Sequence, residues 1–291
     1  MGIRLEGKPV VEHLREEIMT RIAKLAKDEH TPTVIIIRVG NREDDISYEK
    51  SIIKNCEILG IRHFLKHLHA DVAQEDLINV IEWANEDKNI HGIMLFRPLP
   101  DHLDLEVIRN VINPMKDIDC MNPINLQNVL ETNVKGIVPC TPKAVIELLK
   151  YYDIPLKGAN IAMVGKSLVV GKPLGLLLIE ENATVTYCHS RTKNMPDITR
   201  KADIVIVAIG KAKLIKDHYF NENAIVVDIG INAAEDGKIC GDVDYDLVFD
   251  KVKAITPTLG GIGMITTTVL LRHVVLACED LLKRKAGGGI C

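Results

Sequence analysis

Val164-Gly-Lys-Ser-Leu-Val-Val-Gly-Lys-Pro-Leu-Gly-Leu-Leu177 is the stretch whose reading decides the fold. An apolar run, residues 161–164, enters it, and a helical run, residues 174–179, leaves it. Gly165, Gly171 and Gly175 punctuate the passage, with Pro173 where a first helical turn is expected. Proline suits that place because its missing N–H would be unbonded anyway. A strand, a glycine-bearing turn and a helix N-terminus together form an anion site, since exposed N–H groups and the helix dipole both favour phosphate. The expected role is a cradle for a cofactor pyrophosphate, with Gly165, Lys166, Ser167, Gly171 and Pro173 as its contacts. The spacing is not G-x-G-x-x-G, so on glycines alone a plain tight turn is an equal alternative. Ser167 has its own local alternative, as the cap of that turn.

The following residues favour the cradle. Thr184–Cys188 and residues 204–209 and 224–229 have the pattern of further strands, the last two ending at Gly210 and Gly230. Strands alternating with short helical patterns indicate a parallel, doubly wound sheet. Ligands in such sheets sit at the carboxyl ends of the strands. In NAD enzymes the second strand usually ends in an acid for the ribose 2′-hydroxyl. Here it ends Tyr187-Cys-His-Ser-Arg191, with no acid and with a cation. Ser190 and Arg191 therefore favour the 2′-phosphate of NADP, with NAD as the alternative and a simply exposed arginine as the bland reading. Cys188 has no base placed for it and is expected to be a buried filler.

The first half also alternates. Residues 10–25 carry a helical apolar stripe, Thr33–Val39 forms a buried strand closed by Gly40, and residues 46–59 form a helix stopped by Gly60. Residues 61–68 and 92–96 are expected strands and 76–84 a helix; Thr141 before Pro142 is an expected N-cap. The resulting fold class is α/β with two domains. An N-terminal catalytic domain takes residues 1–140 plus 265–291, a Rossmann-like NAD(P)-binding domain takes 141–264, and the site is expected in the cleft between them.

The bulk numbers exclude several classes. The chain has 291 residues, 47% hydrophobic and 26% charged, with a net charge of −4. Nothing there favours nucleic acid or an anionic membrane as partner. No apolar run of spanning length and no secretory signal is apparent, so a cytoplasmic protein is expected. Seven cysteines without a C-x-x-C pair fit reduced thiols and give no zinc pattern. The histidines have no metal-ligand spacing. The tail Ala286-Gly-Gly-Gly-Ile-Cys291 is expected to fray.

Several strings together resemble the methylenetetrahydrofolate dehydrogenase/cyclohydrolase (FolD) family. Val164-Gly-Lys-Ser-Leu-Val-Val-Gly-Lys-Pro173 resembles V-G-R-S-x-x-V-G-x-P, and Lys116-Asp-Ile-Asp119 resembles K-D-V-D. Pro139-Cys-Thr-Pro142, Cys188-His-Ser-Arg-Thr192, Val227-Asp-Ile-Gly-Ile-Asn232 and Gly241-Asp-Val243 match as well. Thr256-Pro-Thr-Leu-Gly-Gly-Ile-Gly-Met-Ile-Thr266 resembles T-P-V-P-G-G-V-G-P-M-T, with Leu259 and Met264 where the family has proline. The resemblance implies hydride transfer from 5,10-methylenetetrahydrofolate to a nicotinamide, then hydrolysis of the methenyl cation to 10-formyltetrahydrofolate. It implies a homodimer, and folate contacts at Tyr48, Phe96, Pro98, Leu99, Asp119, Gly260 and Gly261. It adds Gly210, Ile231 and Thr266 to the cofactor contacts.

Two departures cluster at the chemistry. The family string Y-x-x-x-K starts at Tyr48 but reaches Ile52, and G-I-L-V-Q-L-P-L-P places its glutamine at Phe96. A helix turns about 100° per residue, so Lys50 and Lys54 point roughly 160° and 120° away from Tyr48. Neither reaches the missing ammonium's place. Hydride transfer relies largely on alignment, whereas hydrolysis needs a polar group to help water and manage protons. The expectation is a dehydrogenase, with Tyr48 and Asp119 as its catalytic-site residues and a cyclohydrolase step weak or lost. The alternative is a paralogue that binds folate or nucleotide without catalysis. Asp119 is read as the pterin anchor, or else as a loop cap. Arg97 is read as a solvated charge, or else as a contact to the folate glutamate tail.

Overall fold

The computed structural model describes residues 2–131, 136–234 and 237–286. The tail beyond residue 286 lies outside the described residues. In chain order the elements begin with β1 (Ile3–Arg4), α1 (Gly7–Lys27), β2 (Thr33–Val39), α2 (Glu43–Leu59), β3 (Arg62–Leu68), α3 (Gln74–Glu86), β4 (Gly92–Leu95), α4 (Leu105–Val111) and α5 (Pro123–Asn128). There follow α6 (Cys140–Tyr151), β5 (Asn160–Val164), α7 (Gly171–Glu180), β6 (Thr184–Cys188), α8 (Met195–Thr199), β7 (Ile204–Val207) and β8 (Ile225–Asp228). The chain closes with β9 (Asn232–Ala233), β10 (Ile239–Cys240), α9 (Tyr245–Val248), β11 (Ala254–Ile255) and α10 (Ile262–Ala286).

Two compact units result: Met1–Glu12 with Pro139–Thr266, and His13–Val138 with Thr267–Cys291. The first holds a six-stranded sheet in the order β1-β11-β8-β7-β5-β6, parallel throughout. Chain direction reverses across β5: β6 lies on one side of it and β7 on the other. The gap between the carboxyl ends of β5 and β7 is the topological switch point, where doubly wound sheets bind ligands. The core beneath is aliphatic, built on Ala162, Val164, Val205, Val207, Val226 and Ile255.

The N-terminal segment packs with the first unit. Residues 1–12 were assigned to the catalytic domain, but β1 pairs with β11 at Ile3↔Ala254 and Arg4↔Ile255. Gly7 N–H donates to Gly260 O at 2.7 Å in the same unit. A two-residue strand has no readable period, and its partner lies far along the chain, so pattern alone assigned it to its sequence neighbours.

The second unit holds a three-stranded parallel sheet, β3-β2-β4. All seven residues of β2 are buried, as a central parallel strand requires. Ile35, Ile37, Leu77, Ile81, Ile93 and Leu95 pack its core. Helix α2 runs unbroken to Gly60, whose φ of 74° makes it the left-handed C-terminal cap. Three local expectations need adjustment. Helix α6 starts at Cys140 rather than after Thr141, with Pro139 as its N-cap. Pro173 is the third residue of α7 rather than the first, a place whose N–H would also lack an intrahelical partner. One segment does have spanning length and hydropathy, residues 262–284 of α10, but 72% of that apolar window is buried within the fold, the position of a core helix.

Candidate functional site

The turn after β5 is built by close backbone approach. Gly165 has φ 130°, and a Cβ there would stand 2.2 Å from Ala208 O at the end of β7. Gly165 N–H donates to Cys188 O and Ala208 N–H donates to Val164 O, so the turn is tied to both neighbouring strands. At Gly171 a Cβ would meet Gly165 O at 2.5 Å, and at Gly175 it would meet Tyr187 Oη at 2.0 Å. Only glycine lets the chain fold over itself here. Ser167 Oγ accepts from Val170 N–H at 3.2 Å and Gly171 N–H at 3.3 Å. Its local alternative, capping the turn, is therefore realised. Lys166 and Ser167 are exposed on this turn, and Pro173 is buried behind it.

The remaining cofactor candidates line the same carboxyl edge. Ser190 and Arg191 are exposed in the loop after β6, where His189 Nδ1 accepts from Arg191 N–H at 3.1 Å. Gly210 follows β7 with φ 64° and open space beside it. Ile231 follows β8, is 62% exposed, and has Cδ1 beside Gly263 at the start of α10. Thr266, one turn into α10, donates its hydroxyl to Ile262 O at 3.1 Å. Gly260 has φ 82°, and Gly261 is held so close to Pro257 O that a Cβ would come within 2.2 Å. Leu259 and Met264, which replace the family prolines, are both exposed. Cys188 is fully buried, and burial pushes its thiol up, as suits a filler.

Two acids give this edge its shape, and their roles were not legible beforehand. Asp242, fully buried, accepts from the N–H groups of Ile209, Gly210 and Lys211 and from Asn232 Nδ2. Asp228 accepts from the N–H groups of Gly230, Asp242 and Val243. Burial is the largest influence on Asp228 and raises it to about 6 against those donors. The signal was present in Val227-Asp-Ile-Gly and Gly241-Asp-Val. A Cβ at Gly230 would stand 2.3 Å from Asp242 Cγ, and one at Gly241 would stand 1.9 Å from Asp228 Oδ2. These glycines admit a carboxylate, not a ligand.

In the other unit, Tyr48 is half-buried on α2 and meets Phe96 edge-on, with ring centroids 5.9 Å apart. Phe96 extends β4, its N–H donating to Ile37 O at 3.0 Å, and is 5% exposed. Ile52 is 1% exposed while Lys50 and Lys54 are exposed, on different sides of the helix. Beside Tyr48, the buried Glu49 accepts from Arg38 Nε at 3.1 Å and contacts His67 Nε2 at 2.9 Å. Arg38 also donates to Gly40 O and Asn41 Oδ1, fastening the end of β2 to α2. An arginine within a buried strand was the available signal, since a buried charge needs a partner.

The string Lys116-Asp-Ile-Asp119 divides by task. Lys116 Nζ donates to the carbonyls of Ala84, Asn85 and Asp87, closing the end of α3. Asp117 accepts from Met121 N–H, Asn122 N–H and Asn125 Nδ2, and its burial raises it to about 6. Asp119 is partly exposed and accepts from Arg97 Nη2 at 2.7 Å. Arg97 is thus paired rather than merely solvated. Pro98 and Leu99 follow it, exposed and half-buried respectively.

The first unit is therefore a doubly wound domain with a glycine turn at its switch point, the class of nicotinamide-dinucleotide-binding folds. Comparison with known proteins narrows the class. Residues 5–119 match the tetrahydrofolate dehydrogenase/cyclohydrolase catalytic domain, and residues 139–282 match the NAD(P)-binding domain of the same proteins. The chain belongs to the tetrahydrofolate dehydrogenase/cyclohydrolase family. It is 54% identical over 276 residues to the bifunctional protein FolD 1 of Desulfitobacterium hafniense, covering 95% of this chain and 98% of that one. It is 51% identical to a bifunctional protein FolD of Clostridium botulinum, covering 94% and 98%. The crystal structure of the bifunctional FolD enzyme of Campylobacter jejuni superposes with a TM-score of 0.93 at 37% identity, covering 96% and 99%. The Trypanosoma brucei enzyme, solved with NADP and an inhibitor, gives 0.90 at 30% identity, covering 97% and 99%.

Proposed function

We propose that the protein oxidises the methylene bridge of 5,10-methylenetetrahydrofolate with NADP. The observation that carries this reading is the turn of Gly165 over Ala208 at the switch point, with Arg191 and no acid beyond β6. A protein without hydride chemistry has little need of that turn, which weighs against the non-catalytic alternative. Residues 165–171 and the first turn of α7 would hold the pyrophosphate, and Lys166 and Arg191 the 2′-phosphate. The nicotinamide, when bound, supplies the hydride acceptor.

The chain's own residues bind and orient. The Asp119 carboxylate presents acceptors to the amide and amino edge of the pterin. Tyr48 and Phe96 form an aromatic corner against which the folate would pack. Alignment of this kind supplies most of what hydride transfer needs. Gly260 and Gly261 give the loop before α10 its close backbone path.

The relatives named above are called bifunctional, which supports the cyclohydrolase as a second activity; the doubt about it has no support in those comparisons. A second reading, a dehydrogenase with slow hydrolysis, rests on Ile52 and Phe96 alone. The edge of β3, with Phe64 and Leu65 44% and 43% exposed, supports a homodimer. The described cysteines are buried free thiols, which supports the cytoplasm. The deciding assay follows NADPH formation and methenyltetrahydrofolate decay together, with NADP and NAD in parallel. Absence of reduced nicotinamide with either cofactor overturns the proposal.

A further inference from the structure

We propose that Arg97 is a positioning residue for folate recognition, its guanidinium fixing the Asp119 carboxylate for the pterin edge. This rests on the reading of Asp119 as the pterin anchor. The two side chains come from separate segments and meet at 2.7 Å, with 31% and 27% of their surfaces exposed. Both backbones are held. Phe96, immediately before Arg97, is bonded to β2 through Ile37 O. The segment bearing Asp119 is bonded to β4, where Ile93 N–H donates to Lys116 O at 2.7 Å and Ile93 bridges to Asp117. Lys116, Asp117 and the contact of His273 Nδ1 with Ile118 O pin that segment further. The loops therefore bring the pair together, and the side chains do not have to search for each other.

A carboxylate that reads a planar amide–amine edge must lie in the plane of that edge. A guanidinium on Oδ2 restricts its rotation before the ligand arrives, which lowers the ordering cost of binding. A carboxylate oxygen has two lone pairs, so accepting from Arg97 is compatible with accepting from a ligand. Arg97 offers no basic site, so its effect falls on binding and not on a proton-transfer step. The family string has leucine at this position.

The test is steady-state kinetics of the full-length enzyme at saturating NADP. The variants are Arg97→Leu, Arg97→Lys, Asp119→Asn and the double change Arg97→Leu with Asp119→Asn. The substrates are 5,10-methylenetetrahydrofolate and the corresponding tetrahydropteroate lacking glutamate. Arg97→Leu should raise KM for both substrates about tenfold, the size of one charge-assisted hydrogen bond. Its kcat and its KM for NADP should stay within about twofold, and Arg97→Lys should recover part of the loss, because an ammonium restores the charge without the fork. In the Asp119→Asn background, Arg97→Leu should add less than about twofold, since coupled residues are not additive. Multiplicative losses in the double variant overturn the proposal. So does an unaltered or lowered KM in Arg97→Leu, which would make the arginine a bystander or a blocker. An effect that vanishes with the glutamate-free substrate overturns it by moving Arg97 to the tail. If Asp119→Asn itself leaves the folate KM unaltered, the anchor assignment falls, and the positioning role falls with it, while the dehydrogenase reading stands.

Discussion

The end of β5 and the end of β4 meet opposite demands. At the first, Gly165, Gly171 and Gly175 sit where any side chain would collide with backbone or with a tyrosine hydroxyl. At the second, Phe96 and Ile52 fill positions with apolar bulk, with the Arg97–Asp119 pair beside Phe96 and the Arg38–Glu49 pair beside Tyr48. A phosphate cradle is made of backbone, so it admits little variation. A folate pocket is made of side chains, so its chemistry changes residue by residue while the fold persists. The difference teaches where to look for functional divergence in this molecule: not at the glycines but beside Tyr48.

The largest expected effect tests the variable region. On the second reading, slow hydrolysis, the double change Ile52→Lys with Phe96→Gln should raise enzyme-dependent decay of methenyltetrahydrofolate by about 10²–10⁴, the usual worth of acid–base help. A wild type that hydrolyses this compound as fast as it forms it would show that these two positions do not limit the step. Gly165→Ala tests the glycine turn. The positive φ and the contact with Ala208 O are expected to cost roughly 3 kcal/mol, read as about a hundredfold weaker NADP binding with folate affinity preserved. Unaltered NADP affinity in a folded variant would remove the turn from the cofactor site. Arg191→Ala should raise KM for NADP by about tenfold or somewhat more and leave KM for NAD in place, as loss of a charge-assisted contact of about 1.5–3 kcal/mol predicts. A wild type that prefers NAD excludes this assignment.

The smallest effect on catalysis concerns one buried acid in each unit. Asp117 and Asp228 are both raised to about 6, chiefly by burial. A raised carboxyl binds its proton more tightly in the folded state than in the unfolded chain. Between about pH 4 and pH 6 the folded protein therefore carries up to about two extra protons, and stability falls as pH rises through that window. Asp228→Asn should reduce the pH slope of the urea unfolding free energy by up to about one proton, and Asp117→Asn by a similar amount. Equal slopes in wild type and both variants would mean that neither acid titrates there.

Much of the fold was legible because it is written in adjacent residues. Continuous apolar runs located β2 and β5 and helical patterns located α2 and α7 to within a few residues, and Gly60 marked a helix end through a single local φ. The separation of Ile52 from Lys50 and Lys54 around α2 followed from helix geometry. The sites were legible to different depths. Glycines announce close approach, but not whether the approaching group is a ligand or a buried carboxylate such as Asp242. Arg97 read alone is a surface charge, and only its neighbour Asp119 gives it a task.

By itself, the order of apolar runs, turn glycines and charge determined the α/β class, the glycine turn after β5 and the expectation of NADP, and the resemblance added the departures at Ile52 and Phe96. Tertiary structure decided what depends on partners distant along the chain. It paired β1 with β11 and so grouped residues 1–12 with residues 139–266. It also joined Arg97 to Asp119, Arg38 to Glu49, and Asp242 to the loop after β7. The physical reason is the range of the forces each feature obeys. Backbone sterics and helix periodicity act over a few residues. Hydrogen-bond and charge satisfaction act through space, and the fold alone chooses which residues share it.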